Sequence, residues 1–194
     1  EQVEQVLTGA YSSFRAADYY GSGSGTGGGA ALMPDVLSDN LYETTQTLAN
    51  SRAMADWIFQ KNTAQITNIY SSMYKVISTV NIVLRDVDKY TTAANVRTAN
   101  RIKGQALAIR ALAHFDLFRY FANVYDRNST TSLALYYSKT FAVSPQEKPS
   151  RVSNKVYYDE LYNDLTAAET LLANVDTPIN PAAGLTRPKL SLAA

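Results

Sequence analysis

The sequence predicts an all-α protein, and three observations predict it. Ile66, Ile69, Met73, Val76, Val80, Val83 and Val87 recur three and four residues apart, which is the apolar stripe of one long helix. The stretch "GQALAIRALAHFDLFRYFANVY" (104–125), with Ile102 just before it, carries two such faces at once: Ile102, Ala106, Ile109, Ala113, Leu117 and Tyr120 on one, Leu107, Ala111, Phe118 and Phe121 on the other. Against these, only Leu133–Tyr137 has the look of a strand.

In chain order, the first helix is expected over residues 3–16, with Val3, Val6, Leu7, Ala10, Tyr11 and Phe14 on one side. "GSGSGTGGG" (21–29) then reads as a flexible low-complexity loop. Gly23, Gly25 and Gly28 fit G-x-G-x-x-G, but such a tract fits it almost for free. The dinucleotide fingerprint needs a strand before and a helix after, where "DYY" precedes and Pro34 follows.

The second long helix is expected over about 64–88. Beside its main stripe runs a second one, Tyr70, Tyr74, Ile77, Asn81 and Leu84, so neighbours should enclose it. A buried Asn81 must have its amide satisfied, most simply by backbone groups of an adjoining loop. The two-faced helix around Ala111 should likewise lie between neighbours, its alanines allowing close approach. Residues 128–151 are polar and proline-containing, with an Asn128-Ser129-Thr130 glycosylation acceptor relevant only to a eukaryotic secretory route. A last helix is expected over about 153–173, with Ser153 as N-cap and Val156, Tyr157, Leu161, Leu165, Ala168 and Leu172 buried.

Composition excludes several functions. The 194 residues suffice for one domain with a real core. Lys+Arg number 18 against 17 Asp+Glu, so no basic excess favours nucleic acid. There is no cysteine, hence no disulfide, thiol nucleophile or zinc knuckle. Asp86-Val-Asp88 is too little for a calcium loop; no metal site or cofactor is expected. The segment 104–125 has the apolar length of a membrane span. It carries Arg110, His114, Asp116 and Arg119, however, and a mid-membrane charge costs roughly 2.5–3.5 kcal/mol. The opening "EQVEQVLTGAYSSF" has neither basic nor apolar leader character.

His114, the only histidine, reads as a satisfied core residue rather than a general base. A base needs a nucleophile and an orienting group; there is no G-x-S-x-G elbow, and Asp116 lies on another helix face. Arg110, one turn earlier, should pair with a carbonyl or carboxylate of a neighbour.

The motifs in order resemble a known family. "VLTGAYSSFRAADYYG", "LMPDVLSDN", the Tyr74, Ile77, Asn81 helix "YKVISTVNIVL", the Gly104, Ala106, Arg110, Ala111, Phe115, Leu117 segment and the Arg151, Val156, Tyr157, Leu161, Asp164, Leu165, Ala168 segment together resemble the N-terminal half of SusD/RagB proteins. These are outer-membrane nutrient-binding lipoproteins of Bacteroidetes. Departures are Ala122 where the family usually has Gly, Tyr136 where many members have Pro, Tyr70 in place of Trp, and the glycine tract. "RPKLSLAA" resembles the start of the next family helix, so residues 1–194 are expected to be the N-terminal part of a SusD-like domain, truncated at its C-terminal end.

The resemblance implies a tetratricopeptide-like scaffold of helix pairs with long loops; the sequence shows no 34-residue repeat of its own. It also implies a non-catalytic, surface-exposed protein held to the outer membrane by an N-terminal lipid anchor. Such a protein captures an oligosaccharide or polysaccharide and passes it to a SusC-like TonB-dependent transporter.

Sugar binding asks for aromatic platforms with amide, carboxylate and guanidinium groups around them. Candidates are Tyr19, Tyr20, Asp39, Asn40, Tyr42, Trp57 and Tyr70. For Trp57, with Ile58, packing onto the core is an equal alternative, and Tyr70 has more of a core than a platform pattern. A second function is a helical scaffold docking the transporter, with no glycan site in this part. A third, an enzyme, lacks the facing carboxylates a glycosidase needs.

Overall fold

A computed structural model describes residues 1–21, 29–41, 44, 51–123, 126–141, 148–173, 178–180 and 185–186. The described residues form six α-helices: α1 (Gln2–Ser13), α2 (Gly29–Leu37), α3 (Arg52–Ala55), α4 (Ala64–Val87), α5 (Val96–Phe121) and α6 (Asn154–Leu172). A single 3-10 turn, Asp88–Tyr90, follows α4. Two short antiparallel strands, β1 (Pro178–Asn180) and β2 (Leu185–Thr186), pair with each other. The fold is all-α, as the periodicity predicts. None of the helices is long and apolar enough to cross a membrane among the described residues.

The chain divides into two compact units, with boundaries inside α1 and α4. Unit 1 comprises Glu1–Thr8 and Ile77–Ala194; unit 2 comprises Gly9–Val76.

In unit 1, α5 and α6 form an antiparallel helical hairpin. Gly104 faces Leu171 and Leu172, Arg110 meets Asp164, and His114 meets Tyr157. Position 104 has no room for more than a hydrogen. A Cβ there would lie 2.7 Å from Leu172 Cγ and 3.2 Å from Leu171 Cβ, closer than ordinary van der Waals contact. Ser153 caps α6 as expected, its Oγ accepting from Val156 N–H. Of the face predicted for α6, Tyr157, Leu161 and Ala168 are buried. Val156 is exposed, while Asn154 and Asp164 are buried in its stead. These two polar residues were outside an apolar reading because their partners lie on other elements.

The strand-like patch Leu133–Tyr137 is extended. Leu133 bridges to Ser153, Ala134 N–H donates to Val152 C=O, and Val152 N–H donates to Leu135 C=O. The Arg151 guanidinium binds the carbonyls of Leu133 and Ala134 and holds the patch in place.

In unit 2, α1 ends in a run of turns that return Tyr20 N–H to Phe14 C=O and Gly21 N–H to Ala16 C=O. α2 starts at Gly29 in a left-handed conformation (φ 49°) pressed against the backbone of Ala17–Tyr19, where a side chain would collide. A helix therefore does follow the glycine tract, contrary to the expectation drawn from Pro34. Pro34 sits inside α2, which tolerates the loss of one backbone bond in a two-turn helix. Turns rather than a strand precede the tract, so the dinucleotide fingerprint remains incomplete. Residues 22–28 lie outside the described set. The core of unit 2 is Ala10, Tyr19, Ala30, Met33, Val36, Met54, Ile69, Met73 and Val76.

Candidate functional site

Two polar or aromatic assemblies stand out, one enclosed in unit 1 and one at the surface of unit 2. The enclosed assembly starts from Arg110. Its guanidinium grips Asp164 in a fork, Nε and Nη2 each donating over 2.7 Å to one carboxylate oxygen, with both side chains buried. The remaining nitrogen donates to Asn81 Oδ1 (3.0 Å) and Lys139 C=O (3.2 Å). Asn81 Nδ2 in turn reaches the carbonyls of Ser138 and Thr140. Tyr137 Oη donates to Asp164 Oδ2 over 2.7 Å. One network thus ties α4, α5, α6 and the segment Tyr137–Thr140 together, and Asn81 finds the loop carbonyls its burial demanded.

His114 lies beside this network. Tyr157 O–H donates to the His114 carbonyl (2.9 Å), so His114 Nδ1–H donates to Tyr157 Oη (2.8 Å), and Nε2 accepts Ser138 N–H (3.2 Å). One neutral tautomer satisfies all three contacts. Burial, with the Arg110 charge adding to it, pushes the imidazole down to about 3 against the opposing contact with the Ser138 carbonyl. Its ring stacks on Tyr137 at 3.8 Å and meets Tyr157 edge-on. Burial and then the Asp164 charge raise the Tyr137 phenol far above its ordinary value, so it keeps the proton it donates to Asp164. The groups consume one another's hydrogen-bonding capacity in a closed interior. The assembly is structural, and the Asn81, Arg110, Tyr157 and Asp164 positions of the sequence motifs are its members. Among the described residues no three His, Asp or Glu side chains converge as a metal set.

The surface assembly belongs to unit 2. Trp57 is 62% exposed and Ile58 69%, so neither is enclosed by the described residues. Their exposure follows from how α3 ends. Trp57 N–H returns to Met54 C=O and Ile58 N–H to Ala53 C=O, the two bonds of a Schellman cap. The residue at its centre adopts the left-handed conformation, usually the place of glycine; here it is Trp57 (φ 54°). A bulky side chain in that conformation costs roughly 1–2 kcal/mol. Phe59 lies with its ring centroid 5.8 Å from that of Trp57.

The other candidates are distributed unevenly. Tyr19 is wholly buried, stacked at 4.4 Å on Tyr20 and packed on Phe14. An enclosed ring offers no face to a ligand. Tyr20, on top of it and also stacked near Phe14, is 42% exposed. Asp39 (φ 62°) and Asn40 are exposed beyond the end of α2, where Asn40 Nδ2 donates to Asp35 Oδ1. Tyr70 is 40% exposed, so it is not the core residue its pattern suggested; its ring meets Tyr74 one turn on, at 4.9 Å. Tyr42 lies outside the described residues. α2 packs on α3, and each carries candidates just past its C-terminal end. Phe59, which the sequence does not single out, joins Trp57 here by adjacency alone.

Comparisons with known proteins agree with this architecture. The SusD-like family model described as "Starch-binding associating with outer membrane" matches residues 29–183. No curated protein matches the chain. A SusD superfamily protein from Bacteroides thetaiotaomicron superposes with a TM-score of 0.71 at 21% identity, over 88% of this chain and 37% of that one. A proposed sugar binding protein from Bacteroides vulgatus gives 0.69 at 27% identity, over 88% and 36%. A SusD-like carbohydrate binding protein from the same species gives 0.69 at 20%, over 92% and 37%. The chain thus spans little more than a third of the length of the solved relatives it resembles.

Proposed function

The chain belongs to the SusD-like family, and on that premise we propose that it is part of a non-catalytic carbohydrate-binding protein of the bacterial outer membrane. It captures an oligosaccharide at the cell surface and hands it to a SusC-like TonB-dependent transporter, while an N-terminal lipid anchor keeps it on the membrane. The observation that carries this reading is the family match over residues 29–183, whose description names both starch binding and the outer membrane. The 27% identical relative from Bacteroides vulgatus, itself described as sugar binding, supports the ligand class.

The residues fit the role. Trp57, Phe59 and Tyr20 offer aromatic faces suited to the apolar sides of sugar rings, and Asp39 and Asn40 offer hydroxyl partners. The polar interior of unit 1 serves as scaffold, and the helix ends of unit 2 supply this aromatic surface.

The test is binding, since no product is expected. Titration with maltoheptaose should quench or shift the fluorescence of Trp57, the only tryptophan, and soluble starch in a native gel should retard migration. Absence of both responses across a panel of polysaccharides would refute capture by this part and favour a scaffold that docks the transporter. Release of reducing sugar from any of them would refute the non-catalytic reading.

A further inference from the structure

Unit 1 contains a cavity that the interior network does not use. It measures about 170 Å³ and lies where the start of α1, the end of α4 and the start of α5 meet. Val87, Ala99 and Ile102 supply an apolar floor, with Val87 and Ile102 themselves buried. Tyr90 forms one wall and is 67% exposed, so its ring is available to a ligand. Three polar side chains complete the rim.

Their hydrogen bonds fix them without exhausting them. Thr91 Oγ1 donates to Val87 C=O (2.8 Å), which leaves its lone pairs free to accept. Asn95 Oδ1 accepts Thr92 N–H (2.7 Å) and its Nδ2 donates to Tyr90 C=O (3.0 Å), which leaves one N–H to give. Thr98 adds a hydroxyl one helical turn along α5. Charge is scarce. Glu1 is the one carboxylate in the lining, while nearby Glu4 and Asp88 are paired with Arg101 and Lys103.

An aromatic wall, an apolar floor and a rim of hydroxyl and amide groups are what a neutral sugar ring meets in a protein: its C–H face stacks and its hydroxyls find mixed donors and acceptors. The volume is below the roughly 300–1,000 Å³ of sites for larger ligands and suits one ring rather than a chain. We propose that this cavity is a second carbohydrate subsite, taking a single neutral pyranose unit, separate from the aromatic surface at Trp57. The proposal rests on the carbohydrate-binding reading above.

The experiment uses the purified protein with maltoheptaose, xylohexaose and mannohexaose. Methyl resonances of Val87 and Ile102 are followed during titration with whichever oligosaccharide binds, and its affinity is measured for the wild type, Tyr90→Ala and Ala99→Leu. Tyr90→Ala removes the wall; Ala99→Leu fills the cavity with a good helix former and removes no polar group. The expected result is a saturable shift of both methyls and a loss of about tenfold or more in affinity for each variant. The two variants report independently, so a folding defect in one leaves the other readable, and the methyl shifts need no variant. An oligosaccharide that binds while both methyls stay silent and both variants retain wild-type affinity overturns the subsite but leaves the parent reading standing. Absence of binding to all three overturns both.

Discussion

Acidification should destabilise this protein through His114 alone before the carboxylates titrate. The imidazole is held down to about 3 by burial, against an ordinary value of 6.5. The sign follows from proton counting. As pH falls through about 6.5 the unfolded chain takes up a proton at this position, while the folded chain takes none until about 3. The stability is therefore fully present above about 6.5 and is lost progressively between there and about 3. Each unit of difference is worth about 1.36 kcal/mol. Between about pH 7.5 and 5.5 the unfolded-state uptake integrates to roughly 1.4 kcal/mol. This window holds no second histidine, and ordinary carboxylates titrate below it. In urea denaturation at about 2 kcal/mol per molar, the midpoint should drop by roughly 0.7 M over the window. His114→Gln should lower stability throughout but remove the pH dependence across it. An equal slope in wild type and variant, or a wild type that gains stability on acidification, would refute the neutral buried imidazole.

Three further outcomes follow from the packing. Asp164→Asn should cost about 3–5 kcal/mol in thermal or urea melts, because it leaves the Arg110 guanidinium enclosed without its counter-charge. Gly104→Ala should destabilise despite a helix-propensity gain of about 1 kcal/mol, since the new methyl meets Leu172 and overpacking costs roughly 1–3 kcal/mol; adding Leu172→Ala should recover part of the loss. Trp57→Gly should leave stability equal or raise it by up to about 1 kcal/mol, by relieving the left-handed strain, yet weaken oligosaccharide binding. A Trp57→Gly protein that melts lower and still binds would mean the ring serves packing and not recognition.

Much of the scaffold was legible because long helices write their environment into their period. The main α4 stripe and the α5 faces could be read largely residue by residue, Tyr70 on the second α4 stripe being the exception, and so could the consequence that Asn81 and Arg110, set among apolar neighbours, must find partners. The partners themselves were not legible: Asp164 and Lys139 lie 54 and 29 residues from Arg110, and only the folded chain brings them close. Short elements were harder. α2 and α3, of nine and four residues, are too brief for a period to emerge, and Pro34 argues locally against the helix that holds it. The candidate site fared worst. Tyr19 and Tyr20 are adjacent and aromatic, yet one is interior and the other is not, a choice made by a turn between Phe14 and Gly21. Trp57 points outward because α3 ends in a cap that normally asks for glycine, and no glycine stands there to announce it.

The bidentate grip of Arg110 on Asp164 also governs what the hairpin cannot do. Sliding α6 one turn, about 5.4 Å, along α5 would carry the carboxylate out of reach and strand a cation in a dry interior. Apolar contacts alone would tolerate such slippage, since one leucine grips much like the next. A keyed seam of this kind holds a single alignment, so substitutions or insertions at the far ends of α5 and α6 can be absorbed without shifting one helix along the other.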